Sequence, residues 1–159
     1  MIELLWEAVQ GKKLALVQAI LRDNPRINLE LTSKNKNNAL LLAIEVSDVQ
    51  MIEFLLEAGA NPNPEPDKVW ALPLGLAVDY AVEIMKNNSA MIEEPTEIIR
   101  LLLDYGADIL TQDNNGFSAY DYAYGTLGHY NCTAQRIFDE ILGDDIPYDS
   151  GYVNKNFHL

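Results

Sequence analysis

Asp48–Asn63, DVQMIEFLLEAGANPN, decides how the rest of the chain is read. Met51, Ile52, Leu55 and Leu56 recur at helical spacing and predict a helix with one buried face. Gly59 then supplies a residue that tolerates positive φ, which ends the helix. Thr96–Ile109, TEIIRLLLDYGADI, repeats the pattern, with Ile98, Ile99, Leu102 and Leu103 as the expected buried set and Gly106 as the stop. One amphipathic helix is an ordinary core element; the same helix with the same stop, twice, is a repeat. Repeats stack to bury faces that none can bury alone, and their usual work is binding.

The flanking sequence fits the same plan. Before the stretch, Leu4, Leu5, Ala8 and Val9 predict a first helix face broken at Gly11, and Leu14, Val17, Ile20 and Leu21 a second ending before Asn24-Pro25. Thr32–Asn38 is polar, with turn chemistry and no expected core residue. Ala39, Leu40, Leu42, Ala43 and Val46 then predict the helix that partners the opening stretch. After it, Pro62, Pro64 and Pro66 exclude helix and predict a stiff extended finger leading to Trp70. A third helix pair starts near Leu72-Pro73-Leu74, where proline suits the first turn, with Ala77, Ala81 and Ile84 along one face of its first helix. Asn87-Asn88-Ser89 interrupts it and Pro95 opens the next helix. Ala77 and Gly106 are 29 residues apart against 16 between Ala43 and Gly59, so this unit holds an insertion of 13 residues, expected as a longer first helix plus a loop. Asp113-Asn-Asn-Gly116 is a turn signal. Beyond it, Tyr120, Ala123 and Tyr124, then Ile137, Phe138, Ile141 and Leu142, predict a last helix pair.

The 159 residues are enough for one domain with a true core, and 48% hydrophobic content marks a globular chain. The longest apolar run, Ala39–Ile44, is far shorter than the roughly 20 residues of a spanning helix. Met1-Ile2-Glu3 lacks the basic and long apolar regions of a secretory signal, and a single cysteine, Cys132, forms no internal disulfide, so a cytoplasmic location is expected. The net charge of −13 is unevenly spread. Residues 1–64 carry six basic and eight acidic side chains, residues 65–159 five and sixteen. Such a field repels nucleic acid and attracts and steers a basic protein, although acidity also serves solubility alone.

The units resemble those of the ankyrin-repeat family, whose opening motif is Asp-x-x-Gly-x-Thr-Pro-Leu-His-x-Ala and whose outer helix closes on Gly-Ala-Asp or Gly-Ala-Asn. The closing motif stands at Gly59-Ala60-Asn61 and Gly106-Ala107-Asp108. The opening motif is matched by Asp113, Gly116, Ser118, Ala119, Tyr120, Asp121 and Ala123, and more loosely by Asp67, Leu72, Pro73, Leu74, Gly75 and Ala77. The key alanines fall at Ala8, Ala43, Ala77 and Ala123, with periods of 35, 34 and 46. No unit keeps the histidine, and Lys36 and Trp70 stand where the turn glycine is expected. The resemblance implies an all-α ankyrin-repeat solenoid of about four helix-turn-helix units, at about 1–31, 32–64, 65–110 and 111–142, with a polar extension at 143–159. It further implies protein binding through finger loops and the concave face.

On that frame, Trp70 on the proline-stiffened finger is either a low-entropy binding anchor or a ring folded back into the core. Outward positions of the inner helices are expected at Glu45, Val46, Leu76, Asp79, Tyr80, Tyr122 and Thr126. With Glu65, Asp67, Asp113 and Phe117 they would make an acidic surface with aromatic anchors, suited to a basic protein, or an ordinary solvated face. Nothing points to a metal, a cofactor or catalysis. His129 and Cys132 are three apart but lack further ligands for zinc. Asp144, Asp145 and Asp149 lack calcium-loop spacing. No nucleophile elbow, phosphate loop or His-Glu-x-x-His is present. Asn131-Cys132-Thr133 matches a glycosylation acceptor without a secretion signal to support it. The expected function is a monomeric, non-enzymatic immunity or inhibitor protein for a basic toxin or nuclease domain. The alternative is an adaptor or scaffold that binds a cellular protein without inhibiting it.

Overall fold

A computed structural model describes residues 1–88, 95–125 and 131–145. Ser89, the loop of the third-unit insertion, Thr126, His129 and the extension from residue 146 onward, with Asp149, lie outside the described residues. Helices are α1 (Ile2–Gln10), α2 (Leu14–Asp23), α3 (Ala39–Glu45), α4 (Val49–Glu57), α5 (Pro73–Asn87), α6 (Glu97–Asp104), α7 (Ala119–Ala123) and α8 (Cys132–Leu142), followed by a short 3-10 turn at Gly143–Asp145. Each odd-numbered helix packs on the even-numbered one that follows it. The odd helices also pack on one another in chain order, and α4 packs on α6. The result is a helical solenoid with an inner row, α1-α3-α5-α7.

Ala8, Ala43, Ala77 and Ala123 are all buried in that inner row. A methyl side chain at the crossing lets neighbouring helices approach closely, because interaxial distance follows the side chains at the contact. The longest inner helix, α5, has 15 residues against seven in α3, which accounts for the extended-helix part of the insertion. Side-chain caps start four helices: Asn38, Asp48, Ser118 and Asn131 each accept a bond from the backbone N–H three residues on. Pro73 opens α5, where a missing N–H costs nothing.

The helix ends repeat as well. Ala60 N–H reaches Leu55 C=O and Gly59 N–H reaches Leu56 C=O; Ala107 and Gly106 do the same to Leu102 and Leu103. These double bonds close the last turn and require positive φ at one residue, met by Gly59 (95°) and Gly106 (83°). Between α1 and α2 the same bonds form from Lys12 and Lys13, and between α3 and α4 from Ser47 and Asp48. There the left-handed residues are Lys12 (53°) and Ser47 (51°), so the break assigned to Gly11, whose φ is −79°, falls one residue later.

Other expectations change on packing grounds. Met51, Ile52, Leu55 and Leu56 are buried, but in the copy only Ile99 and Leu102 lie fully in the seam, with Ile98 and Leu103 half-buried. Leu4 is 45% exposed, on the side of α1 that neither α2 nor α3 covers. Ile141 is exposed too. Asn38, expected in a coreless polar loop, is buried because its side chain caps α3. The proline finger is not a straight extension: Pro64 is buried, and Glu65 C=O accepts from Lys68 N–H at 3.0 Å. Pro66 sits at the second turn position, where its fixed φ favours a tight turn.

Candidate functional site

The finger edge is built from short hairpins that precede the inner helices. In the second unit Ser33 N–H donates to Asn37 C=O at 2.8 Å and Lys36 N–H to Ser33 C=O at 2.9 Å. In the fourth, Asp113 and Gly116 make the equivalent bonds to Phe117 and Asp113, at 2.8 and 3.0 Å. Gly116 has φ 81° at the turn and Lys36 takes 57° in its place. The third finger, carrying the prolines, departs from this geometry. It is tied to both neighbours: Lys36 Nζ donates to Asp67 C=O at 2.9 Å, Trp70 N–H to Lys36 C=O at 3.3 Å, and Asn114 Nδ2 to Pro66 C=O at 2.7 Å.

Trp70 resolves to neither of its two expected states in pure form. Its ring is 44% exposed, so it does not fill core, yet its indole N–H donates to Asn37 Oδ1 on the preceding finger. Asn37 Nδ2 in turn donates to Glu45 Oε1 at 3.3 Å. Glu45 is half-buried; burial raises its carboxyl above the ordinary range while the bond from Asn37 opposes that shift. Burial also raises the Tyr80 phenol, and the charges of Glu45 and Asp79 add to it. Hydrogen bonds thus run from Trp70 through Asn37 to Glu45, whose charge acts on Tyr80 together with that of Asp79.

A second group surrounds Asp113. One oxygen accepts from Asn115 N–H at 2.8 Å and Phe117 N–H at 3.0 Å, the other from the Tyr122 hydroxyl at 2.6 Å. Burial works to raise this carboxyl, but the hydrogen bonds outweigh it and hold it below the usual aspartate range. Burial pushes the Tyr122 phenol well up, reinforced by the bond to Asp113. Phe117 meets the Tyr122 ring edge-on at 6.1 Å and 74°. Tyr122 also lies over Gly75: a Cβ there would stand 3.0 Å from its ring. Asp79 acts on Tyr122 as well as on Tyr80, linking the two groups.

The remaining predicted positions are dispersed. Glu65 pairs with Lys68 at 2.7 Å on the exposed proline turn, and the Asp67 carbonyl accepts from Lys36 Nζ. An exposed pair of this kind contributes little. Leu76 is buried in the stack instead of facing outward. Asn131 is fully buried, capping Ala134 N–H at 2.9 Å and donating to Val78 C=O at 3.0 Å, so the glycosylation-like triplet is structural. Cys132 is exposed. Among the described residues no three His, Cys, Asp or Glu side chains converge as a metal site would require, and no helix is long and apolar enough to cross a membrane.

Two residues that matter here have no place in the sequence reading. Asn37 joins Trp70 to Glu45, and the signal for it is register: it precedes the Asn38 cap as Phe117 precedes Ser118. Trp6 lies two residues before Ala8, where the repeat motif has histidine, and its half-buried ring lines a groove against the first finger. Leu41, Gly75 and Asp121 occupy that register in the other units. Asp121 completes a capping box, accepting from Ser118 N–H at 2.8 Å and Oγ at 2.7 Å.

Stacked helix pairs with inner helices, finger hairpins and glycine-closed outer helices define a helical-repeat binding scaffold. The family model for ankyrin repeats (3 copies) matches residues 5–113, and the chain belongs to the ankyrin-repeat family. Ankyrin repeats bind other proteins. The chain is also similar to human 2-5A-dependent ribonuclease, 31% identical over 84 residues, which is 53% of this chain and 10% of that protein. It therefore spans about a tenth of the length of this relative, and the ribonuclease activity in the relative's name is said of that protein.

Proposed function

We propose that this chain is a non-enzymatic inhibitor of the immunity-protein kind, which binds and occludes a basic toxin or nuclease domain. The observation that carries the reading is the run Trp70, Asn37, Glu45, Tyr80 and Asp79. It joins a half-exposed indole through Asn37 to the Glu45 carboxylate, whose charge acts with that of Asp79 on Tyr80, in a chain with net charge −13. A held aromatic loses little entropy on binding, and acids beside it favour arginine and lysine over other partners. Asp113, Phe117 and Tyr122 extend the surface to the fourth unit, with Glu65 and Asp67 at its exposed margin. The protein acts as a monomer in the cytoplasm, needs no metal or cofactor, and binds neither nucleic acid nor membrane.

The test is co-purification with the product of the neighbouring reading frame, followed by association kinetics at rising ionic strength. The reading expects a stoichiometric complex, loss of the partner's activity on binding, and an on-rate that falls steeply with salt. Trp70→Ala, Asp79→Asn and Tyr80→Ala should each weaken it. A partner that binds yet keeps its activity would favour an adaptor. A small-molecule ligand in place of any protein would overturn both.

A further inference from the structure

The inner side of the first two units carries a groove of about 350 Å³ that the surface above does not use. That volume falls within the roughly 300–1,000 Å³ of clefts that take a ligand or an inserted side chain. One wall is α1, with Glu3 and Glu7 one turn apart and Trp6 between them in sequence; Asn35 and Asn37 of the first finger form the other, with Leu42 also lining it. Residues four apart on a helix share a face, so both carboxylates overlook the same space. Both are exposed, and neither has an ion-pair or hydrogen-bond partner among the described residues. Lys36, on the same finger, is bonded away from the groove to Asp67 C=O.

Two unpaired carboxylates beside an aromatic ring fit one chemistry well. A guanidinium is planar, stacks on aromatic faces and donates in pairs to carboxylates; an ammonium does neither as well. We propose that this groove receives an arginine side chain of the partner protein, with Glu3 and Glu7 as its counter-charges and Trp6 as its stacking surface. The proposal rests on the reading that the partner is a basic protein. Asn37 supplies continuity, since it lines the groove while its side chain bonds both Trp70 and Glu45. One basic segment crossing the first finger can therefore occupy the groove and the Trp70 surface together.

The experiment is a titration of the ¹⁵N-labelled chain with acetyl-Gly-Gly-Arg-Gly-Gly-amide, and with the same peptide carrying citrulline, which keeps the shape and loses the charge. The two indole N–H signals are assigned with Trp6→Phe and Trp70→Phe. The Trp6 signal is expected to move with the arginine peptide, and the citrulline peptide to bind about tenfold more weakly. Glu3→Gln/Glu7→Gln, at exposed sites, should weaken arginine binding about tenfold with an unchanged melting curve. A Trp6 signal that stays in place, or moves equally for both peptides, overturns the proposal, as does unaltered affinity in the double variant. If Trp70 and Tyr80 respond and Trp6 does not, the groove proposal fails and the basic-partner reading stands. If Trp6 responds but no protein partner is found, the groove proposal stands without it.

Discussion

The two edges of the stack follow opposite rules. On the edge after the outer helices, every connection repeats the last. Asn28, Asn61 and Asp108 each accept from the backbone N–H two residues on, at 2.9, 2.9 and 2.8 Å. Each connection also reaches the next: Glu30 accepts from Asn61 N–H at 2.9 Å, and Asn63 from Asp108 N–H at 2.8 Å while donating to Gly106 C=O at 2.8 Å. On the finger edge, two hairpins flank a proline turn that shares neither their closing bond nor their turn residue. Regularity there would hold the stack equally well. The departure places the exposed Trp70 indole against Asn37 of the neighbouring hairpin. What repeats holds the repeats together.

The largest expected effect breaks the regular side. Leu55 is fully buried in α4, and Leu55→Ala should cost about 2–5 kcal/mol, the loss of buried methyl groups plus the cavity left behind. In a stack that loss spreads to neighbouring units, so denaturant melts followed at both ends should weaken together. An unchanged melt would refute the seam at that position. Leu4→Ala, at a 45% exposed site, is the control and should stay within about 0.5 kcal/mol.

Gly75→Ala tests the junction of the two regions. The added methyl would stand 3.0 Å from the Tyr122 ring, which is hydrogen-bonded to Asp113 and edge-packed on Phe117. The ring, held by Asp113 and Phe117, must give by a few tenths of an ångström; overpacking costs about 1–3 kcal/mol, offset by the roughly 0.5–1 kcal/mol gained on replacing a helical glycine. Tyr122→Ala in the same background should recover part of that loss, measured as a double-mutant cycle. Additive effects would mean the ring gives way freely.

Periodicity made the regular edge legible and left the other largely unread. The buried faces of α4 and the inner alanines follow from spacing alone, because a seam that repeats must place the same residue types at the same intervals. The first unit's share of the outer ladder was hidden, since Arg26-Ile27-Asn28 replaces Gly-Ala-Asn and only the asparagine survives. Half-burial of Ile98 and Leu103 is invisible in a pattern that cannot report which neighbours cover a helix. On the finger edge, Trp70, Glu45, Tyr80 and Asp79 were named from register, but the bond through Asn37 depends on how two fingers approach each other. Leu76 was misread because alternation along an inner helix does not reveal how close the next helix comes.

A titration sharpens the comparison at smaller scale. Asp113 has a depressed folded-state pKa, so its contribution is fully present above the unfolded aspartate value of about 3.9 and is lost as pH falls through the lower folded value. Stability should therefore decline from about pH 4 downward more in the native chain than in Asp113→Asn. After screening by solvent the difference should be below about 1 kcal/mol, read from denaturant midpoints across that range. Parallel curves would show that the bond from Tyr122 orders the ring without contributing to stability.

The smallest effect compares two strained residues, one in the turn between α3 and α4 and one on the finger edge. Ser47 and Lys36 both hold positive φ where other turns use glycine, at 51° and 57°. An L-residue there carries roughly 1–2 kcal/mol of strain, and glycine returns roughly 0.4–1 of it through a more disordered unfolded chain. Ser47→Gly, in the regular turn between α3 and α4, should thus gain about 0.5 kcal/mol in thermal melts. Lys36→Gly relieves similar strain but also removes the bond from Nζ to Asp67 C=O, one of the ties between fingers. Its gain should be near zero, because a net hydrogen bond is worth about as much as the strain removed. Equal gains at the two sites would mean that this tether adds nothing, and that the third finger is held by Trp70 and Asn114 alone.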